Sequence, residues 1–373
     1  MSRKATPVNS SSFSAGSSFA APSPSSGASD PVDATDRRGA TDPVDATDRR
    51  PPSGERALVL GGGGSTGNAW LIGIAAGLLD AGLDVTDADL IVGTSAGATA
   101  AAQLTGADIG ELYAASLVPP PSRPIPARAS DRPERAGAPG GGSRQVSSSG
   151  AASARSGSTD GHPSNRPVID HLERMHRLIA ASTDAADLRR RLSDAALERR
   201  ASMDPSTGQR WRATVVSRLP SPAWPDRAVL LTAVDARTAT PVVFDRESGV
   251  DLADAVAASC SSGFAYRIGE RDFIDGGYRR NENADLASGF ARVLVLAPFG
   301  GESFTPEGWG LNLATQIDEL RAGGSRVQVV GPEADAAHLF GANAMDGSMR
   351  PRAAQVGFEQ GRRLADELSN FWR

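Results

Sequence analysis

One cysteine, Cys260, in 373 residues rules out an intrachain disulfide, and a cytoplasmic setting that keeps thiols reduced is the expectation. Long apolar runs are missing too. None reaches the roughly 18 residues of a membrane-spanning helix, and the first residues lack the apolar centre of a secretory signal. Positive charge is not in excess: 39 Lys and Arg against 44 Asp and Glu leave a formal charge of −5. With no dense basic patch interleaved with aromatics, a nucleic-acid partner is not expected. There is no H-E-x-x-H and no pair of cysteines, so neither a metal nor any other cofactor is expected. Histidine is scarce, with only His162, His171, His176 and His338, and none sits in an evident catalytic context.

What is abundant is unevenly spread. Residues 1–55 are rich in Ser, Pro, Asp and Arg and repeat the stretch Asp30 to Arg38 at Asp42 to Arg50. Such a segment cannot bury a core, and a disordered tail is expected. Met1 to Ala21, with Arg3, Lys4, many serines and no acids, has something of a transit-peptide composition, but the tail reading is preferred. A second low-complexity stretch, at about 118–166, runs from Pro119-Pro120-Pro121 through Gly140-Gly141-Gly142 to Pro167. It far exceeds the roughly 12–15 residues at which structureless loops become uncommon. With almost no apolar residues to insert in lipid, it reads as a tolerated linker before a mobile lid. One domain is then expected over 56–373, interrupted by this insertion.

Glycine, at 41 residues, is plentiful and clusters where it carries chemistry. Gly93-Thr94-Ser95-Ala96-Gly97 follows the apolar run Leu90-Ile91-Val92 and precedes the small residues Ala98 to Ala102, a strand, sharp turn and helix. That is the setting of a nucleophile elbow: a strained turn exposes the serine hydroxyl, and flanking glycines let helix and strand approach. Upstream, Ala57-Leu58-Val59-Leu60 enters Gly61-Gly62-Gly63-Gly64-Ser65-Thr66-Gly67 ahead of a helix from about Asn68. Four successive glycines are costly to order, so the run suggests backbone N–H groups facing an anionic oxygen, with Gly62, Gly63 and Gly64 as the expected oxyanion hole. A dinucleotide loop competes, since Gly62, Gly64 and Gly67 fit G-x-G-x-x-G and Asp84 follows at suitable distance. It leaves Ser95 unexplained.

A base is still required. Asp275, in Phe273-Ile274-Asp275-Gly276-Gly277, ends a short strand and is followed by two glycines, although Asp-Gly-Gly is ordinarily a turn. A Ser-His-Asp order would leave only His338, within the helix-like Glu333 to Phe340, where it reads as a surface or packing residue. The other choice is a dyad in which Asp275 takes the serine proton. That requires desolvation, because a solvated carboxylate near pKa 3.9 is a poor base.

Taken together, Gly61 to Gly67, Gly93 to Gly97 and Asp275-Gly276-Gly277 resemble, in order, the oxyanion loop, elbow and Asp-Gly-Gly of the patatin-like phospholipases, and the helix from Asn68 to Ala81 with its following Gly82-Leu83 resembles their bacterial branch. Ala253 to Ser262 and Asn283-Ala284-Asp285 are similar to the segments that flank the family's aspartate. The resemblance covers most of 56–300. It implies a three-layer α/β/α fold with a mostly parallel central sheet, catalysis by Ser95 and Asp275 without histidine, and a lipid ester as substrate, met at a membrane surface by transient peripheral contact. Two departures stand out: Thr66 replaces the family's usual Arg or Lys, and Cys260-Ser261-Ser262-Gly263 lacks its usual proline. They motivate an alternative, a catalytically silent lipid-binding protein of the same fold.

Hydrophobic periodicity gives the remaining elements. Helices are predicted at Ile169 to Ser182, Ala185 to Ala201, near Leu311 to Arg321, and from about Arg352 to Leu368, the last amphipathic. Strands are predicted at Arg212 to Val216, Ala228 to Ala233, Pro241 to Phe244, Val293 to Ala297 and Val327 to Val330. The stretch Trp70 to Leu79 is apolar on all faces and reads as buried core before acyl channel.

Overall fold

In a computed structural model, residues 53–119 and 166–373 are described, with side chains in the second segment from Glu173 onward. Apart from a few residues at their edges, the tail expected over 1–55 and the insertion expected over 118–166 lie outside the described residues.

The chain runs β1 (Gly54–Leu60), α1 (Gly64–Asp80), β2 (Leu90–Gly93), α2 (Ala96–Leu104) and α3 (Ile109–Ser116). It continues through α4 (Arg166–Ala181), α5 (Ala185–Ser202), α6 (Thr207–Val216), β3 (Ala228–Asp235), β4 (Pro241–Phe244) and α7 (Leu252–Ser259). The last elements are β5 (Tyr266–Ile268), β6 (Arg271–Asp275), β7 (Phe290–Leu296), α8 (Leu313–Ala322), β8 (Arg326–Val330) and α9 (Arg350–Trp372). They form one sheet in the order β5-β6-β3-β2-β1-β7-β8, with β4 paired to β3. The central run from β3 to β8 is parallel, whereas β4, β5 and β6 pair antiparallel. This is the expected α/β architecture with a mostly parallel sheet.

Why the strands read as unbroken apolar runs follows from burial on both faces. In β1, Leu58 and Leu60 pack into the core shared with α1, α2, α7 and α9. Their alternates Ala57 and Val59 face the opposite core, shared with α8. The alternation repeats in β7, with Leu294 and Leu296 on the first side and Val293 and Val295 on the second. A smaller cluster joins α5 to Val234 of β3 and Ile274 of β6.

Helix α1 is buried from Thr66 to Leu78, which makes it core. Its close partner is α9. A Cβ added at Gly73 or Gly77 would lie 2.1 Å from the carbonyl oxygen of Ala354 or Phe358, so the two backbones touch directly. The one element of the wrong type is Arg212 to Val216, which is the end of α6 and not a strand. Its β-branched residues favour extended backbone locally, but tertiary contacts prevail. Trp211 and Val215, one helical turn apart, join the core, the Trp211 indole donates to Ala257 O, and Arg212 pairs with Asp251 and Asp254. Among the described residues no helix is long and apolar enough to cross a membrane.

Register explains why distant segments meet. Leu60 pairs with Gly93, and Gly93 with Leu231, so the glycine loop after β1 and the turn after β2 leave the sheet side by side at the carboxyl edge of its parallel strands. Ala233, two residues further along β3, pairs with Asp275 of antiparallel β6. Ser95, the glycine loop and Asp275 are thereby delivered to one crevice, where ligands of open α/β sheets ordinarily bind.

Candidate active site

Ser95 occupies the turn between β2 and α2 with φ 53°, a conformation that a residue with a side chain rarely adopts. Packing imposes it. A Cβ on Gly97 would sit 1.9 Å from the Leu60 carbonyl oxygen, in the middle of the sheet, so α2 can approach β1 only with glycine there. Gly97→Ala is expected to destabilise the fold by at least ~3 kcal/mol, read as a shift of the urea midpoint, because neither backbone can retreat.

The turn is held from outside as well. Ser95 N–H donates to Ser259 Oγ (2.9 Å) and the Cys260 thiol donates to Ser95 O (3.1 Å). Burial pushes that thiol up to about 12, so it stays protonated and serves as a hydrogen-bond donor. The following turn lacks proline but is pinned by Ser261, whose hydroxyl lies 2.7 Å from Ala258 O and 3.1 Å from Phe273 O. Ser261 O in turn accepts the Asp275 N–H at 3.2 Å.

Asp275 closes β6 and is only 6% exposed. Burial raises its carboxyl from the ordinary value near 3.8 to about 6, against the opposing pull of a Gly277 N–H bond (2.8 Å) and of the nearby Ser95 hydroxyl. The structure thus brings Ser95 and Asp275 together and gives the carboxylate a basicity that a solvated aspartate lacks. A buried polar knot fixes the loop beyond it. Asn283, itself at φ 53°, donates through Nδ2 to Thr94 Oγ1 (3.0 Å) or Thr232 Oγ1 (3.2 Å) and to the carbonyls of Gly276 and Arg280.

The glycine loop departs from expectation at one position. Gly62 N–H is committed to Asn281 O (3.0 Å), and Asn281 Nδ2 returns a bond to Gly62 O (3.2 Å), so Gly62 is a strut of the loop and not a free donor. Gly63 and Gly64, at the start of α1, have no acceptor for their N–H groups among the described residues. Thr66 is fully buried and its N–H donates to Ala344 O. A cation reaches the loop from the far end of the chain. Arg350 of α9 donates to Ser65 O (2.7 Å) and to Asn68 Oδ1 (3.3 Å), and burial lowers its pKa.

Among the described side chains no histidine takes part in this arrangement. His176 stands edge-on to Phe304, and His338 is exposed with Nδ1 2.9 Å from Asp335 O; neither ring is a hydrogen-bond partner of Ser95 or Asp275. His162 lies outside the described residues. The dinucleotide alternative loses its acid: Asp84 precedes β2, at the amino edge of the parallel strands, where it accepts bonds from Thr86, while the glycine loop lies at the carboxyl edge. Among the described residues no three His, Cys, Asp or Glu side chains gather as metal ligands.

Sequence reasoning missed Ser259, Asn281 and Arg350. The serine and asparagine lie inside or beside segments already singled out for their resemblance. Arg350 had no local signal, since its contacts span more than 280 residues of sequence.

Comparison with known proteins agrees with the geometry at the level of family. The sequence model of the patatin-like phospholipases matches residues 58–288, more than half of the chain. No curated protein matches the sequence. Among solved structures the chain is similar to VipD from Legionella pneumophila, at 12% identity and a TM-score of 0.35, over 85% of this chain and 67% of that one.

Proposed function

The chain belongs to the patatin-like phospholipase family, and on that premise we propose that it is a serine acyl hydrolase that cleaves lipid carboxylic esters, of phospholipase A or lysophospholipase type, through a Ser95–Asp275 dyad. The observation that carries this reading is the buried carboxylate of Asp275, raised to about 6, beside the hydroxyl of a serine in a strained elbow.

Asp275 accepts the Ser95 proton as the hydroxyl oxygen attacks the ester carbonyl. The tetrahedral oxyanion forms against the Gly63 and Gly64 N–H groups, at the positive end of α1. Protonated Asp275 then gives its proton to the leaving alkoxide. In the second half, Asp275 deprotonates water, which attacks the acyl-serine, and the carboxylic acid leaves as Ser95 recovers its proton. No histidine is required. Contact with a lipid surface is peripheral and transient in this reading.

The test is fatty-acid release by purified protein from phospholipid and lysophospholipid vesicles, with p-nitrophenyl esters alongside. Release is expected, and His338→Ala is expected to retain at least half of the parental kcat/KM. A folded protein that cleaves none of these esters would overturn the reading. A His338→Ala variant as impaired as Ser95→Ala would overturn the histidine-free mechanism.

A further inference from the structure

Two cavities stand out among the described residues, and one of them is lined by Tyr278, three positions after Asp275. The larger, about 770 Å³, lies between α5, α6 and β5. Two of its polar groups, Arg212 and the Tyr266 hydroxyl, are both paired with Asp254, and none of its lining residues is a partner of Ser95 or Asp275. The smaller, about 430 Å³, lies between α4 and α5 and has an apolar floor made of Met175 and Leu178 from one helix and Leu192 and Ala196 from the other. Arg174, Ala195, Glu198, Arg199 and Ser202 add a more polar and mostly exposed side, and Gly263 and Tyr278 form the remaining wall.

Those two wall residues tie the cavity to the chemistry. Tyr278 closes the single helical turn that begins directly after Asp275. Gly263 ends the turn whose Cys260 thiol bonds to Ser95 O. Tyr278 lies three positions after Asp275, and Gly263 three after Cys260, a reach of at most ~10 Å in each case. The Tyr278 hydroxyl joins the walls by accepting the Gly263 N–H (3.1 Å) and pairing with the Ser262 hydroxyl (3.0 Å). Burial, with the negative charge of Asp275, raises the Tyr278 pKa to about 12.

We propose that this cavity between α4 and α5, entered past Tyr278 and Gly263, takes the acyl chain of the substrate while its ester lies between Ser95 and Asp275. The inference rests on the reading of Ser95 as the nucleophile. The volume falls within the roughly 300–1,000 Å³ of ordinary ligand sites, and the floor of Met175, Leu178, Leu192 and Ala196 is apolar, which suits a hydrocarbon tail with its polar end at the side lined by Arg174 and Arg199. The core helix α1, whose apolar stretch is packed against the sheet and α9, offers no such space. Burying one methylene contributes enough for a three- to fourfold gain in affinity, so chain length is the variable to which the cavity responds.

The test separates binding from turnover. The full chain is titrated with cis-parinaric acid, a fluorescent fatty acid, and the measurement is repeated on Leu178→Trp and Met175→Trp, two half-buried lining positions where a larger ring fills the space. Both variants are expected to raise the Kd at least tenfold. In parallel, the ratio of kcat/KM for p-nitrophenyl octanoate to that for the acetate is expected to fall by a similar factor. No binding by the parent, or the same Kd in the parent and both folded variants, would overturn the cavity assignment. Sensitive binding without any ester turnover would leave the cavity in place and overturn the hydrolase reading instead.

Discussion

Replacing Ser95 with alanine is expected to lower ester turnover by about 10⁵- to 10⁶-fold, the loss seen when the nucleophile of a serine hydrolase is removed. No neighbour can take over. Ser259 Oγ is occupied as acceptor of the Ser95 N–H, and the Cys260 thiol, pushed up to about 12, supplies no thiolate at neutral pH. A second variant separates chemistry from structure. Ser95→Gly is expected to be equally inactive yet about 1 kcal/mol more stable, because glycine adopts φ 53° without the steric penalty that Ser95 bears. Thermal melts of parent, Ser95→Ala and Ser95→Gly, run beside the ester assay, check both halves. A Ser95→Gly protein less stable than the parent would mean that the turn is not strained.

Asp275→Asn is expected to lose about 10⁴-fold in turnover and to gain stability at alkaline pH. Burial holds the native carboxyl near 6, while in the unfolded chain it titrates near 3.8. Between these values the native state binds the extra proton, so this group's stability contribution is full below about 3.8 and is lost as pH rises through 6. Above that, the buried charge costs about 2–3 kcal/mol, which a neutral carboxamide avoids while still accepting the Gly277 N–H. Urea unfolding should therefore show the variant more stable than the parent at pH 8, with the difference closing towards pH 4. The parental kcat/KM should rise through pH 6 as Asp275 becomes a base. A pH-independent difference in stability, or a rate that falls through that range, would remove Asp275 from the role of buried base.

Much of this was legible from residues alone, for identifiable reasons. The glycines at 61–64, 93 and 97 stand out because close backbone approach excludes every other side chain, and such constraints are written locally. The strands read correctly where burial on two faces makes them apolar throughout, as in β4, whose bounds match the predicted Pro241 to Phe244. Arg212 to Val216 misled because its β-branched residues report local preference, whereas Trp211, Val215 and Arg212 are held by α7 and its N-terminal cap. The fate of Gly62 was equally invisible: its N–H meets Asn281 O only after β1 and β7 have paired and brought the loop beyond β6 against the glycine turn. Arg350 reaches Ser65 for the same reason, through the glycine-lined contact of α1 with α9.

The most direct test of the Ser95–Asp275 account is covalent labelling of the purified, folded chain with a fluorophosphonate, followed by mapping of the modified peptide. The account predicts one modified residue, Ser95, with labelling that strengthens as pH rises through 6 and is lost in Ser95→Ala and nearly lost in Asp275→Asn. Absence of labelling in folded protein, or modification of a serine elsewhere in the chain, would contradict it.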